Sequence, residues 1–301
     1  MPRPRQSAQT IPSMTATVPR ELVHRAAVAE TLLTGWSRTA PDRFHVSAQW
    51  PRSHELHVSS DRTAYDPLLV VETVRQSGTL IAHTEYDVPL GHHFVLNEFQ
   101  VETFPQHLAV GALPAEPAVE VAFTDVQYRG ARPAAARYTA DVLRAGELVA
   151  HADVAFTCLS EPVYRRLRGG RTPALASDVP LRPGLPPTGV DRVLPADVVL
   201  APTDRSDRWQ LRVDTAHPVF FDHPLDHVPG MLLLEAARQA ARWWTDGKRA
   251  PVGYHARFHR YAELDSPTWI ELASEDGAEL QVVGRQGEST IFECLVGTAG
   301  R

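Results

Sequence analysis

No stretch of this 301-residue sequence carries the run of about 18 apolar residues that a membrane-spanning helix requires. The opening residues, MPRPRQSAQTIPSMTATVPR, contain basic side chains but lack the apolar stretch of a secretory signal. These two absences exclude membrane insertion and make the cytoplasm the expected setting. Cysteine is scarce: Cys158 and Cys294 are the only two. Each sits in an apolar strand-like run (VAFTCL and IFECLV), so buried free thiols are expected rather than a disulfide or a nucleophile.

A dominant charge is missing as well. The net charge is −6, charged residues make up 22% of the chain, and no long like-sign block interrupts the mixture. A nucleic-acid binder would show a basic stripe, so that partner is excluded. There is no GxGxxG after a strand, no GxxxxGK[ST] and no GxSxG, which removes support for nucleotide cradling and serine hydrolysis. His217, His223 and His227 crowd one Pro-containing loop with Asp222 and Asp226. Their spacing matches no zinc motif, so neither a metal nor a cofactor is expected. RRLRGGR (165–171) reads as a solvated basic stretch, with docking of an acidic carrier protein as the lesser alternative.

What is present has a repeated layout. The chain is longer than one core usually supports. Residues 1–20 read as a flexible terminus and residues 161–200, dense in Pro and Gly, as a linker. Domains are therefore expected over 21–160 and 201–301. DPLLVVETVRQSG (66–78) lies over PGMLLLEAARQAA (229–241) at a constant offset of 163, which sets Glu72 on Glu235, Arg75 on Arg238 and Gln76 on Gln239. DRFHVSA (42–48) precedes the first as DRWQLRV (207–213) precedes the second. PLGHHF (89–94) follows as PVGYHA (251–256) does, bringing His93 opposite His255. Three matches in one order indicate an internal duplication. Each copy reads as a short strand, a helix of about 15 residues and then a run of strands, the first of these in the second copy being RFHRYAEL (257–264). An antiparallel meander wrapped around an apolar helix is the architecture that follows.

Inside that helix Glu235, Arg238 and Gln239 share one face. An unpaired charge is costly in apolar surroundings, so a structural Glu–Arg pair is the plain reading. Two features favour chemistry instead. The pair recurs in both copies, although buried ion pairs often stabilise no more than apolar packing. Each helix also starts after a turn that leaves backbone N–H groups free at its positive end. Such an end suits a carbonyl oxygen or oxyanion, and a carboxylate one turn along suits a general base. His217 and His227 are expected to hydrogen-bond within their turn, with His227 the candidate for substrate contact. His93 and His255 are expected to position the helices.

The segments DHVPGMLLLEAARQAA (226–241), DPLLVVETVRQ (66–76), PLGHHF (89–94), ARFHRY (256–261) and VPRELVHR (18–25) together resemble the hotdog fold of acyl-thioester dehydratases and thioesterases. They resemble more closely the AfsA-type γ-butyrolactone synthase family of actinobacteria, over about residues 18–298. The resemblance implies an α+β tandem (double) hotdog, two copies of a long central helix wrapped by an antiparallel sheet. It implies an acyltransferase that moves a β-ketoacyl chain from acyl carrier protein to the hydroxyl of dihydroxyacetone phosphate, the first step toward a butyrolactone or butenolide signal. The family's acidic residues and the arginine after the second map onto Glu72, Glu235 and Arg238. On this reading the thioester carbonyl sits at Gly230 and Met231 and Glu235 deprotonates the hydroxyl, or orients substrate if Arg238 binds it tightly. Arg238 is alternatively a fork for the phosphate. Gln239 lies beside them, and Glu72 with Arg75 forms a second site. The related dehydratases carry a His fourteen residues before the helix Glu. That position is Phe221 here, with His223 two residues out of register, which disfavours dehydration. A thioester hydrolase and a non-catalytic acyl-lactone sensor are the alternatives. Pairing of the copies within one chain, as a monomer, or between chains, as a homodimer, is left open.

Overall fold

The computed structural model describes residues 16–173 and 176–300. The flexible terminus expected over residues 1–20 therefore lies outside the described residues up to position 15. From Val18 onward the chain is tied down, the Val18 N–H donating to Leu33 O at 2.9 Å.

Strands β1 (Leu33–Ala40) and β2 (Arg43–Ala48) lead into helix α1 (Pro67–Glu85). Strands β3 (His93–Thr103), β4 (Ala118–Arg129), β5 (Arg132–Arg144) and β6 (Glu147–Leu159) follow. After the short helix α2 (Glu161–Leu167) come β7 (Leu200–Pro202), β8 (Arg208–Leu211) and helix α3 (Gly230–Trp244). Strands β9 (Arg249–Phe258), β10 (Trp269–Asp276), β11 (Glu279–Gln286) and β12 (Ser289–Gly300) close the chain. All twelve strands form one sheet in the order β1-β2-β4-β5-β6-β3-β9-β12-β11-β10-β8-β7. Read inward from either edge, the two halves have the same order, as a duplicated unit joined about a two-fold would. This is the tandem hotdog.

The seam is an antiparallel pairing of β3 with β9, from Glu98↔Arg257 to Glu102↔Gly253, so the copies pair within one chain. Gly253 lets the strands approach closely there, since a Cβ would lie a tight 3.2 Å from Val101 O of the facing strand. Glu98 fastens the seam from the outer face, accepting from His255 Nε2 at 2.8 Å and Arg257 Nε at 3.1 Å. The strand expected as RFHRYAEL is displaced: the sheet uses Arg249–Phe258, and His259 onward leaves it. The run around PVGYHA fits between β3 and β12, burying Tyr254 and Ala256, while residues 259–263 turn away to wall a cavity.

Both helices are sheathed by the sheet. Leu68, Leu69, Val70, Val71 and Val74 of α1 are essentially inaccessible, as are Leu234, Ala236, Ala237 and Ala240 of α3. Each helix is held by a glutamine. Gln76 donates to Glu30 O at 2.7 Å and accepts from Leu32 N at 2.9 Å. Gln239 donates to Asp197 O at 2.7 Å and accepts from Val199 N at 2.9 Å. The expected positioning role of His93 and His255 thus falls to these two residues. His93 stacks on Tyr164 and bonds Glu161.

The segment read as a linker, 161–200, holds α2 and two 3-10 turns, Pro187–Val190 and Pro195–Asp197. These echo Arg20–Val23 and Val28–Glu30 in the first copy. VPRELVHR (18–25) and LPPTGVDR (185–192) are thereby aligned, Arg25 on Arg192. Both turns end in a left-handed residue, His24 (φ 54°) and Asp191 (φ 57°).

A glycine in mid-helix usually costs up to about 1 kcal/mol relative to alanine. At Gly78 the sign should reverse, because an added Cβ would fall 2.4 Å from the Tyr138 ring. Tyr138 is locked there, its hydroxyl donating to Val74 O at 2.9 Å. Gly78→Ala is expected to destabilise by about 1–3 kcal/mol, read as a lower urea midpoint at unchanged m-value. An unchanged or raised midpoint would contradict this packing.

Candidate active site

The glutamates in the apolar helices are both buried and both tied. Glu72 accepts from Arg25 Nε (3.0 Å), Arg75 Nε (2.8 Å) and NH2 (2.7 Å), and Gln76 Nε2 (2.6 Å). Burial pushes its carboxyl up, but the Arg25 and Arg75 guanidiniums outweigh burial and hold it well below the usual carboxylate range. Glu235 is built the same way: Arg192 donates to it from Nε (2.8 Å) and NH2 (2.5 Å), and Gln239 from Nε2 (2.6 Å). The bidentate partner in the second copy is therefore Arg192, not Arg238. Arg238 NH1 stays 3.7 Å from Glu235 while its Nε reaches Asp66 Oδ2 at 2.7 Å.

Asp66 separates the two copies' sites. It is the N-cap of α1 and accepts from the Leu68 N–H at 2.9 Å. It also crosses the molecule to meet Arg238 and Arg192, the latter at 3.2 Å. Burial pushes its carboxyl up, and Arg238 and Arg192 overcome this to hold it at about 2. The first helical residue after it, Pro67, has no N–H. The positive end of α1 is therefore closed, by a proline and by an internal carboxylate.

The end of α3 is open. Pro229 stands in the place of Asp66, with nearly the same backbone (φ −65°, ψ 144° against φ −71°, ψ 137°) and no side chain to cap the helix. Gly230 replaces Pro67 and supplies an N–H. It also keeps the helix start against Phe258, whose ring a Cβ would meet at 3.2 Å. This end faces a cavity of about 880 Å³ between the two copies, bordered by Arg25, Arg75, His227, Pro229, Gly230 and Met231. Its apolar wall includes Phe94, Leu96, Leu225, Leu233, Phe258 and Ile291.

Two histidines on the cavity have assignable tautomers. His227 Nδ1 lies 2.7 Å from Asp226 Oδ1, so it donates there and presents Nε2 as the acceptor. Burial raises the Asp226 carboxyl, but bonds from His227, from the Tyr164 hydroxyl (2.6 Å) and from Arg168 Nε (2.9 Å) hold it well below its ordinary value. Arg168 is in turn held by Glu263 at 2.7 Å through both terminal nitrogens. His24 Nε2 contacts His83 Nε2 at 2.9 Å, while His83 Nδ1 donates to Val88 O at 2.7 Å. Burial lowers His24 to about 3, so it is neutral at physiological pH. His217 lies off the cavity, with Nε2 on Asp197 and Nδ1 accepting from the Val219 and Phe220 N–H groups.

The expected site residues therefore divide. Gly230, Met231, Arg75 and His227 meet at the cavity. Glu72 lies directly behind Arg75 and Arg25. Glu235, Arg238 and Gln239 form the closed cluster, where Gln239 spends its amide on the backbone and on Glu235. Arg25, Arg192, Asp66 and the Asp226–Arg168 pair escaped sequence reasoning. The match of VPRELVHR with LPPTGVDR was the available signal for the two arginines. Among the described residues no group of three His, Cys, Asp or Glu is placed to hold a metal, and no helix is long and apolar enough to cross a membrane.

Residues 6–160 and 177–292 match the family model described as the A-factor biosynthesis hotdog domain. The chain is 48% identical over 294 residues to a 2-oxo-3-(phosphooxy)propyl 3-oxoalkanoate synthase of Streptomyces virginiae, covering 95% of this chain and 99% of that one. It is 41% identical over 283 residues to the synthase of the same name from Streptomyces griseus, covering 92% and 93%. Among solved structures it is similar to the 12:0-ACP thioesterase from Umbellularia californica (TM-score 0.53, 10% identity, 86% of this chain and 98% of that). An acyl-ACP thioesterase from Bacteroides thetaiotaomicron gives a TM-score of 0.51 at 12% identity, covering 85% and 98%. At those identities the structures speak for the fold alone.

The closed cluster generates a direct expectation. Glu235→Gln leaves Arg192 buried without its full counter-charge, at a cost of about 3–5 kcal/mol. Turnover per folded molecule should stay within about threefold, since Glu235 does not border the cavity. Urea unfolding with activity normalised to the folded fraction checks both. Loss of turnover at undiminished stability would make Glu235 the base after all.

Proposed function

The chain belongs to the A-factor biosynthesis hotdog family, and on that premise we propose that it is an acyltransferase joining a 3-oxoacyl (β-ketoacyl) thioester of acyl carrier protein to the hydroxyl of dihydroxyacetone phosphate. The product is a 2-oxo-3-(phosphooxy)propyl 3-oxoalkanoate, the compound class named for its relatives. The observation that carries this reading is the open positive end of α3 on an apolar-walled cavity, set against the sealed end of α1. A donor carried by acyl carrier protein sets the reaction in the cytoplasm.

The 3-oxoacyl chain lies along the apolar wall with its thioester carbonyl at the Gly230 N–H, one of the helix's free donors. The hydroxyl oxygen attacks the carbonyl carbon, and negative charge develops on an oxygen already facing the N–H and the helix dipole. His227 Nε2 accepts the hydroxyl proton and returns it to the departing sulfur as the C–S bond breaks. Asp226 holds the imidazole in the tautomer this requires and stabilises its protonated form. Glu72 is too firmly paired to act as a base and serves to orient Arg25 and Arg75. The role expected of Glu235 thereby passes to His227. The Glu235 cluster acts as a strut.

Incubation with 3-oxoacyl carrier protein, with and without dihydroxyacetone phosphate, separates the readings by mass spectrometry. Phosphorylated ester is expected. Free acid in its place would point to a thioesterase, and intact thioester to a binding protein. His227→Asn should reduce kcat by about 10²–10⁴-fold with little change in KM. A variant of near-normal kcat would remove His227 as the base.

A further inference from the structure

The sealed site displays, in its own residues, what the open site is built to hold. Asp66 carries a carboxylate bonded to the Leu68 N–H (2.9 Å), Arg238 Nε (2.7 Å) and Arg192 NH1 (3.2 Å). The duplication supplies each of these residues again, with the guanidiniums turned differently. Arg75 gives Nε and NH2 to Glu72, and Arg25 gives NH1 to Val219 O at 3.1 Å. The places of Arg238 Nε and Arg192 NH1 are therefore taken by Arg75 NH1 and by the hydrogen of Arg25 NH2 not turned to Glu72. Leu68 corresponds to Met231 and Arg238 to Arg75 at the offset of 163, and Arg192 corresponds to Arg25 through the aligned turns. All three counterparts border the cavity. Both arginines are already oriented: Glu72 accepts from Arg25 and Arg75, as Glu235 does from Arg192. The residue not repeated is the carboxylate, because Pro229 stands where Asp66 does. Asp222, on the neighbouring loop, does not replace it, since its oxygens accept from the Ala26 (2.6 Å) and Ala27 (2.9 Å) N–H groups.

We propose that Arg25, Arg75 and the Met231 N–H form an anion site, shaped like the nest around Asp66, that takes the phosphate of the acceptor. This rests on the acyl-transfer reading above and refines it. The phosphate role weighed for Arg238 passes to its counterpart Arg75. Two guanidiniums of fixed orientation and one helix N–H match a phosphate monoester, which offers several acceptor oxygens at once. The Gly230 N–H, which has no counterpart at Pro67, is left for the thioester oxygen. Phosphate and oxyanion thus have adjacent but separate donors, and the hydroxyl of a phosphate-anchored acceptor is held beside the carbonyl it attacks.

The test places the missing carboxylate. Pro229→Asp puts an aspartate on a backbone that already has the dihedrals of Asp66, so the helix cap should form and the fold should be kept. Binding of inorganic phosphate to the whole protein is followed by calorimetry, with no acyl donor present. Wild type should bind it. Pro229→Asp should weaken binding at least about tenfold, and Pro229→Asn, a cap without charge, should not. In turnover, Arg75→Gln should raise KM for dihydroxyacetone phosphate at least about tenfold and erase the preference over unphosphorylated dihydroxyacetone. Phosphate binding that is unaltered in Pro229→Asp overturns the anion site. So does an Arg75→Gln effect confined to KM for the acyl carrier protein, which would assign the arginine to the phosphate of the carrier's prosthetic arm. Phosphate binding that depends on Pro229 and Arg75 in a protein forming no ester would keep the site and reject acyl transfer. Ester formation with Arg75→Gln kinetics like wild type would do the reverse.

Discussion

The structure depends on one interaction made twice: a helix carboxylate, buried in the middle of a hotdog, held by an arginine that enters from outside the helix. Glu72 takes Arg25 and Glu235 takes Arg192, and a glutamine one turn on completes each knot. A buried ion pair of this kind adds little net stability over apolar packing, but removing one partner is expensive. Its consequence is positional. The knot fixes the segment before each hotdog against the central helix and sets the angle at which two guanidiniums leave it. The glutamines do the same for the following residues, bonding Leu32 and Val199 at equal distances of 2.9 Å.

The two knots then serve different ends. Around Glu235 the guanidiniums of Arg192 and Arg238 meet Asp66, and the helix end beside them is stopped by Pro67. Around Glu72 the guanidiniums of Arg25 and Arg75 border a cavity, and the helix end beside them exposes Gly230 and Met231. A duplicated fold begins with two equivalent clefts. The aspartate at one N-cap and the proline at the other leave one cleft filled by paired charges and the other open as a cavity. The cavity is shared between the copies, since the arginines come from the first and the helix end, His227 and its Asp226–Arg168 support come from the second or the segment before it. Neither copy alone has the set.

Much of this was legible along the chain. Glu72 and Glu235 stood out because a carboxylate in an apolar run needs a reason, and the constant offset showed that the anomaly was inherited in pairs. The start of α3 at Gly230 and Met231 was readable from the Pro-Gly turn. The arginine that binds each glutamate was harder to see. Arg25 lies 47 residues before Glu72 and Arg192 43 before Glu235, in stretches without helical or strand periodicity, the second of them dense in Pro and Gly. Irregular is not the same as unstructured: both stretches fold as paired 3-10 turns. The strand read as RFHRYAEL (257–264) was placed a few residues too late, the sheet using Arg249–Phe258, because alternation alone does not say where a strand leaves its sheet.

What the sequence by itself determined is local and periodic: the duplication, the apolar helices, the strands around them, and the carboxylates that had to find partners. What only the tertiary structure decided is which partners they found and which cleft stayed open. Asp66 reaches Arg192 across 126 residues, and it does so because β3 pairs with β9 and brings the N-terminus of one helix against the knot of the other. The same seam carries α3 to Arg25 and Arg75, where a proline leaves the place of that aspartate vacant. Hydrophobic periodicity specifies what a residue buries, whereas a charge's counterpart depends on the path of the whole chain, and here that path separates the strut from the site.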